Sequence, residues 1–554
     1  MNTDILKTLQ QLHIDFDSLP DNGVQDKIML LINIVEQLAQ ENQELKETVR
    51  LLKDENNRLK GEQGCPIIRP KTQTGDISSE SDRKKKKSTK RSKRKKRNLV
   101  VHEEKSCPVD KEKLPADAVP KGHDTVVVQD IIIEVKNTAF NPFNREVYYS
   151  ASENRRIIGA LPIEYQGGFG PGIRTLILCL YNDSNMSQPK IHSLLQTVGV
   201  EISPATISRI ITDDVTCFHE EKSEIVSAGL QATNYQNVDD TGARVNGANF
   251  YNHVLCSPYY TAYFTRAKKN RLTLLEIFSE GELTFQLNSQ TIDLLSDFNL
   301  SEKQRQRLIP FLSERIMERS EMDALLSRLF PDPSKQKTNR QRILEACAVT
   351  AFRHQGRPFP ILICDDAPQF KGITEHLGLC WVHEGRHYKK LQPFMENNRE
   401  KLAKVLSDFW EYYHCLRSYK EAPSKAEAER LSEQFDTLFL QTTGYDQLDD
   451  RLRKTWAKKD NLLLVLQYPH IPLHNNSAEL GARVQARKRD VSFQTKNEKG
   501  TQAKDTMMSV VETAKKLSVN VFEYIHDRIS KKYKMPSLAS IISSQSQHTA
   551  SDPA

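Results

Sequence analysis

Tyr235-Gln-Asn-Val-Asp-Asp-Thr241 and Phe359-Pro-Ile-Leu-Ile-Cys-Asp-Asp366 are two short strand-like runs, each ending in a pair of carboxylates. A β-forming run that stops in acid reads as a buried strand delivering charged side chains to the rim of a sheet. Between the two, Ala243–Cys256 and Tyr259–Thr265 alternate like further strands joined by a Ser257-Pro258 turn, and a helix is expected at about Arg271–Ser279. Downstream, His474-Asn-Asn-Ser-Ala-Glu479 opens another helix. Asn475 or Asn476 can cap it, which sets Glu479 in its first turn.

Three antiparallel strands, a helix and then a strand with an acid at its end form the ribonuclease-H-like arrangement. In it Asp239 and Asp365 meet at adjacent strand ends in the sheet centre, with Asp240 and Asp366 as the alternates. Two carboxylates so placed repel each other unless a divalent cation neutralises them, and oxygen-only ligands suit Mg²⁺ or Mn²⁺. With Glu479 as third ligand, two ions about 4 Å apart would serve phosphodiester cleavage or transfer. Arg483, Arg487 and Lys488 follow Glu479 on the same helix and suit DNA phosphates.

The rest of the chain is organised around that centre. It has 554 residues, 38% hydrophobic and 27% charged, enough for three to four domains. No apolar run is long enough to span a membrane, the N-terminus lacks a signal-peptide core, and nine scattered cysteines do not make a disulfide framework. The net charge of +7 is uneven: residues 83–97 hold twelve Lys/Arg and no acid, leaving the remainder at −5. Leu31, Leu38, Leu45, Leu52 and Leu59 recur every seven residues, with Ile28, Val35, Asn42, Val49 and Asn56 three before each. That pattern predicts a parallel two-stranded coiled coil over 25–60, its register fixed by the asparagines.

Residues 61–105 read as a disordered basic linker. Its Lys84, Lys85, Lys86, Lys87, Arg94, Lys95, Lys96 and Arg97 are expected to hold phosphates without reading bases. A small mixed domain is expected over 106–182, with short strands at Thr125–Val128 and Ile131–Val135 and an apolar helix near Ile173–Tyr181. Cys65 and Cys107 lack the second cysteine of a C-x₂-C, so no zinc is expected there. A helix-turn-helix is read over 183–214. Ser187 caps its first helix, Gly199 makes the turn, and Ser203-Pro204 opens a second helix whose Thr206 and Arg209 are free to reach base edges.

Val238-Asp-Asp-Thr241 with Arg244, Cys380-Trp-Val-His383 with Arg386, and Asn475-Asn-Ser-Ala-Glu479 with Arg483 resemble the three blocks of the insertion sequence 66 family of bacterial transposases. The resemblance runs from about residue 25 to 530. It implies a DDE enzyme with a leucine-zipper N-terminus, a helix-turn-helix and an interrupted ribonuclease-H-like core. It also implies Asp239, Asp365 and Glu479 as catalytic, metal-binding triad, with Cys380, His383 and Arg386 supporting the core. Two departures stand out: the family's zinc-ribbon cysteines are missing, and 126 residues separate the first two acids, so a helical segment near 283–347 is read as inserted.

The resulting expectation is a multidomain α+β transposase that cleaves and transfers DNA strands. Its catalytic core spans 230–495 with insertions at about 283–347 and 394–468, C-terminal helices at 496–530 and a disordered tail at 536–554. Within the second insertion, Phe409, Trp410, Tyr412 and Tyr413 are expected in the core, and Thr501–Met508 over the active site or the DNA. Leu377–Val382 is expected as a strand. The partners expected are double-stranded DNA (element ends and target), a second copy through the coiled coil, and small accessory proteins of the same element, in the cytoplasm at the nucleoid. The competing readings are a DNA-binding protein derived from such a transposase that has lost its chemistry, and a ribonuclease-H-like nuclease.

Overall fold

The computed structural model describes residues 22–59, 134–137, 146–159, 168–281, 283–356 and 359–550. The basic run with Lys84–Lys87 and Arg94–Arg97, the expected strand at Thr125–Val128 and the first three residues of that at Ile131–Val135 lie outside the described residues, and Glu134 and Val135 are not in a strand. Helix α1 (Asn22–Leu59) carries the heptads and divides its faces between two surroundings. Leu31, Leu38, Leu45 and Leu52 are 53–64% exposed, while Ile32, Glu36 and Ala39 are buried. The buried face docks on the chain's own body. The Glu36 carboxylate accepts from the backbone N–H groups of Phe394 and Met395 and from Asn398 Nδ2 at 2.7–3.2 Å, and Asn33 Nδ2 donates to the Gly444 carbonyl. Docking on the protein and presenting a leucine ladder are therefore compatible on one helix.

Strands β1 (Val147–Ser150) and β2 (Arg155–Ile158) form an exposed antiparallel hairpin. Helices α2 (Pro171–Asn182), α3 (Gln188–Thr197), α4 (Pro204–Thr212) and α5 (Cys217–Gln231) follow. The α3–α4 turn needs Gly199, whose φ is +85°. Ser187 sits at the start of α3 but makes no side-chain cap bond, whereas Ser203 Oγ accepts the Thr206 N–H at 3.1 Å. Ile207, Ile210 and Ile211 are buried and α4 packs on α2.

The central sheet begins with β3 (Tyr235–Val245), β4 (Ala248–Cys256) and β5 (Thr261–Arg266), an antiparallel meander followed by α6 (Arg271–Ser279). The carboxylates Asp239 and Asp240 therefore sit mid-strand. The first strand does not stop at Thr241, because the break falls at Asn246-Gly247, where both residues have positive φ. The segment expected as a helical insertion holds β6 (Phe285–Leu287), α7 (Ser289–Asp297), α8 (Glu302–Gln306), β7 (Ser313–Met317), α9 (Arg319–Leu329) and α10 (Lys337–His354). It is not purely helical, since β6 and β7 pair antiparallel.

Strands β8 (Ile361–Cys364) and β9 (His376–Leu379) then add parallel to β3, giving the order β5-β4-β3-β8-β9. The strand expected through Val382 ends at Leu379. Cys380 instead precedes α11 (Trp381–Lys389), with Glu384 in its first turn. A helical layer follows in α12 (Glu396–Tyr419), α13 (Lys425–Phe439), α14 (Asp446–Trp456) and α15 (Lys459–Leu462). Phe409 and Tyr412 are buried in it against Trp381, Tyr413 is buried beside Trp410, and Trp410 itself is half-buried, so three of the four aromatics are core as expected.

Helices α16 (Asn476–Ser492) and α17 (Glu498–Lys516) pack on the sheet, and α18 (Val521–Ile529) and α19 (Leu538–Ala550) close the chain's fold. The tail expected to be disordered is helical over α19 because Leu538 and Ile542, four apart, bury against α5. Thr501–Met508 lies neither over the site nor over a free face, since α17 lines the outer edge of β5. There Thr513, Ser509 and Asp505 accept the backbone N–H groups of Thr261, Tyr263 and Thr265 at 3.2, 3.0 and 2.5 Å. One side chain per helical turn thus satisfies every outward N–H of an edge strand that is otherwise open to pairing. Among the described residues no helix is long and apolar enough to cross a membrane.

Candidate active site

The parallel register aligns Asn237 with Ile363. Carried two residues on, it sets Asp239 beside Asp365 at the mouth of a cleft of about 360 Å³, which Glu479 on α16 also lines. Helix α16 reaches the sheet because its inner face is small. Ala478, Gly481 and Ala482 are buried, and a Cβ on Gly481 would fall 2.7 Å from Val254 Cγ1. Any larger residue there would lift the helix and draw Glu479 away from the strands.

The two doublets are sorted by their partners. Asp240 accepts from Lys269 Nζ and Gln369 Nε2, both at 2.8 Å, and Asp366 pairs with Lys458 at 2.7 Å and Lys371 at 2.9 Å. For Asp366 burial works against ionisation, but Lys458 and Lys371 outweigh it and hold the carboxyl below its ordinary range. Asp239 has only the Asp240 N–H, at 2.8 Å, and Asp365 that of Ala367, at 3.1 Å. Burial first, then the charges of Asp365, Asp240 and Glu479, push Asp239 up to about 7 against the pull of that N–H. Among the described residues Asp239 and Asp365 thus line the cleft without an ion pair, whereas Asp240, which also lines it, is paired with Lys269.

Glu479 differs: Arg386 Nη2 holds it at 2.8 Å. Among the described residues no three His, Cys, Asp or Glu side chains stand close enough together to hold an ion as they are placed. The donor chemistry of Asp239 and Asp365 nonetheless fits a hard divalent cation, whereas Glu479 is occupied by Arg386.

Cys380 and His383 both line the cleft. Cys380 is a buried thiol pushed up to about 11, mainly by burial, and its Sγ accepts the Asn475 N–H at 3.2 Å. Asn475 precedes α16 but makes no cap bond, contrary to expectation. Its Nδ2 donates to the Val238 carbonyl at 2.8 Å, and its Oδ1 accepts from Asn237 at 2.9 Å. Asn237 and Asn475 thus brace the strand of Asp239 against the helix of Glu479. The sequence reading missed this role, although the Asn-Asn before the helix was its one visible sign.

Of the basic residues expected at DNA, Arg483 and Arg487 are exposed on α16 one and two turns beyond Glu479. Lys488 is not available at the surface. It is 1% exposed, lies 3.4 Å from the Tyr181 ring centroid and is pushed down to about 7 by burial and by Lys504, because its position falls on the face of α16 turned inward. Arg209 is exposed, but Thr206 is half-buried with its hydroxyl 2.9 Å from Ser203 Oγ, so it is spent on the start of α4.

A mixed sheet with paired aspartates on neighbouring strands and a glutamate from a covering helix defines a carboxylate-centred α+β protein. The chain belongs to the IS66 family of transposases. The model of the family described as "Transposase IS66 family" matches residues 319–503, a span that includes Asp365 and Glu479 and begins after Asp239. The uncharacterized protein y4jO of Sinorhizobium fredii is 30% identical over 306 residues, covering 55% of this chain and 94% of that protein.

Proposed function

We propose that the chain is a DDE transposase that cleaves DNA strands and joins them to a target as a bacterial insertion sequence moves. The observation carrying this reading is the pairing of Asp239 with Asp365 at the cleft while lysines neutralise Asp240 and Asp366. The strand order β5-β4-β3-β8-β9, with three antiparallel strands followed by two parallel ones, supports a ribonuclease-H-like core. Asp239, Asp365 and a released Glu479 would hold Mg²⁺ or Mn²⁺. When bound, the metal supplies Lewis-acid activation of a water or 3′-hydroxyl and stabilises the leaving oxygen.

The chain's own residues do the rest. Arg483 and Arg487 hold the phosphates of the strand leading into the cleft. Arg386 keeps Glu479 paired until the site fills, and the Asn237–Asn475 brace fixes the distance between strand and helix. Helices α3 and α4 serve as the helix-turn-helix, with Arg209 as its exposed base-reading candidate. The leucine ladder of α1 pairs with that of a second copy, a role supported by its exposure. Incubating the full chain with the terminal DNA of its own element and Mg²⁺ tests the reading. Wild type should nick and join the ends, and Asp239→Asn, Asp365→Asn and Glu479→Gln should bind them without cutting. Wild-type rates in any of the three variants would remove that residue from the triad.

A further inference from the structure

Phe493 is 76% exposed, more than any other large apolar side chain among the described residues. It is also held where an L-residue is strained, at φ 54° and ψ −60°, immediately after α16. Its surroundings keep it there. The Phe493 N–H donates to the Arg489 carbonyl at 2.7 Å, and the next residues are zipped to the end of β3. Thr495 N–H reaches the Arg244 carbonyl at 3.3 Å, Asn246 N–H reaches that of Thr495 at 2.8 Å, and Gln494 Oε1 accepts from Gly247 N–H at 2.6 Å. A strained and exposed aromatic that the surrounding structure over-determines is a mark of function rather than of packing.

Phe493 also stands among cations. It shares a small hollow with exposed Arg244 and half-buried Arg489, and Arg483 and Arg487 line the exposed side of the helix that leads to it. The fixed point of that helix is Glu479. Fourteen residues at 1.5 Å each put Phe493 roughly 20 Å along the axis from it, about six base steps of DNA. Aromatic rings flanked by arginines bind nucleic acid by stacking on bases while the cations hold the backbone, and inserted phenylalanines unstack duplex steps.

We propose that Phe493 is a stacking platform for a DNA base displaced from the duplex a short distance from the scissile phosphate. The proposal rests on the transposase reading and adds a binding residue to it. Its rigid link to β3 and α16 ties the displaced base to the frame that holds Asp239 and Glu479, so base capture and strand positioning become one event.

The test measures binding of the full chain to two 30-base-pair duplexes, one fully matched and one carrying a three-thymine bulge, which presents bases already unstacked. Wild type should prefer the bulged duplex by roughly 10-fold, the worth of one stacked base. Phe493→Trp should keep the preference, and Phe493→Ala should lose it while binding the matched duplex as wild type does. Phe493→Gly should lose it too, with a melting temperature at or above wild type, because glycine accepts a positive φ. A purely structural Phe493 would lower the melting temperature in both small variants. Retention of the preference by Phe493→Ala, or its absence in a wild type that binds matched DNA, overturns the proposal alone. Failure of wild type to bind either duplex overturns it together with the transposase reading.

Discussion

Asp239→Asn should stabilise the metal-free protein, and by an amount that depends on pH. Moving the Asp239 carboxyl from 3.8 to about 7 costs the folded state on the order of 4 kcal/mol once the group is ionised. The sign follows from linkage. Below the unfolded value both states carry the proton and the burial is free of charge. As pH rises towards 7 the folded state must retain a proton that the unfolded state has given up, and stability is lost throughout that interval. At pH 5 the loss is about 1–2 kcal/mol, and at pH 8 it is complete. Asparagine keeps the shape and can still accept the Asp240 N–H, but it has no charge to lose. Thermal unfolding in EDTA at pH 5 and pH 8 reads the difference. The variant's advantage over wild type should grow between the two by roughly 2 kcal/mol, a few degrees in midpoint. Adding Mg²⁺ at pH 8 should then raise the wild-type midpoint and leave the variant's where it was. A gap of equal size at both pH values would show that Asp239 is not crowded by carboxylates, and the argument for a shared cation site would fall with it.

Other perturbations test the remaining parts. Arg386→Gln should free Glu479 and tighten Mn²⁺ binding by up to about fivefold, the worth of a half-exposed ion pair, as read by titration calorimetry; unchanged affinity would mean that the pair does not compete with metal. Leu38→Lys with Leu45→Lys should leave the full chain monomeric in sedimentation, because two charges would be buried in the seam, and an unchanged profile would remove the ladder from the assembly. Glu36→Ala should instead leave self-association intact. It strips three backbone or amide donors of their acceptor, and hydrogen exchange at 394–398 should rise by an amount corresponding to about 1–3 kcal/mol. Neutralising Lys84–Lys87 and Arg94–Arg97 should flatten the salt dependence of binding to any DNA, while Arg209→Ala should weaken only the preference for the element's ends; the reverse pattern would exchange the two roles.

The strand ending in carboxylates is a local pattern that holds at Asp365, where β8 stops at Cys364, but not at Asp239, where β3 runs on through the acids to Val245. Which member of each doublet is left without a lysine is not local. It depends on Lys269, Lys371 and Lys458, which approach from three separate segments. Periodicity also misled at Cys380, where an apolar run Leu377–Val382 reads as one strand although the chain turns into a helix after Leu379. In α1 the heptads point to a single seam, yet the same helix offers Ile32, Glu36 and Ala39 to its own body, and a partner for a glutamate 358 residues away cannot be read from spacing. The serine-rich end looked unable to bury anything. Two aliphatic residues four apart were enough once α5 supplied the surface.

The ladder between α17 and β5 has a consequence for how this protein can change length. Four helical residues advance about 6.0 Å and two strand residues about 6.6 Å, so Asp505, Ser509 and Thr513 keep pace with Thr265, Tyr263 and Thr261 over three rungs. A single residue inserted between Asp505 and Thr513 would rotate part of the helix by about 100° and leave buried amides without acceptors. One inserted into β5 would turn its outward amides towards β4. Exposed turns such as residues 421–424 between α12 and α13 can lengthen or shorten freely, but this helix and strand can accept insertions or deletions only in matched pairs, four residues against two.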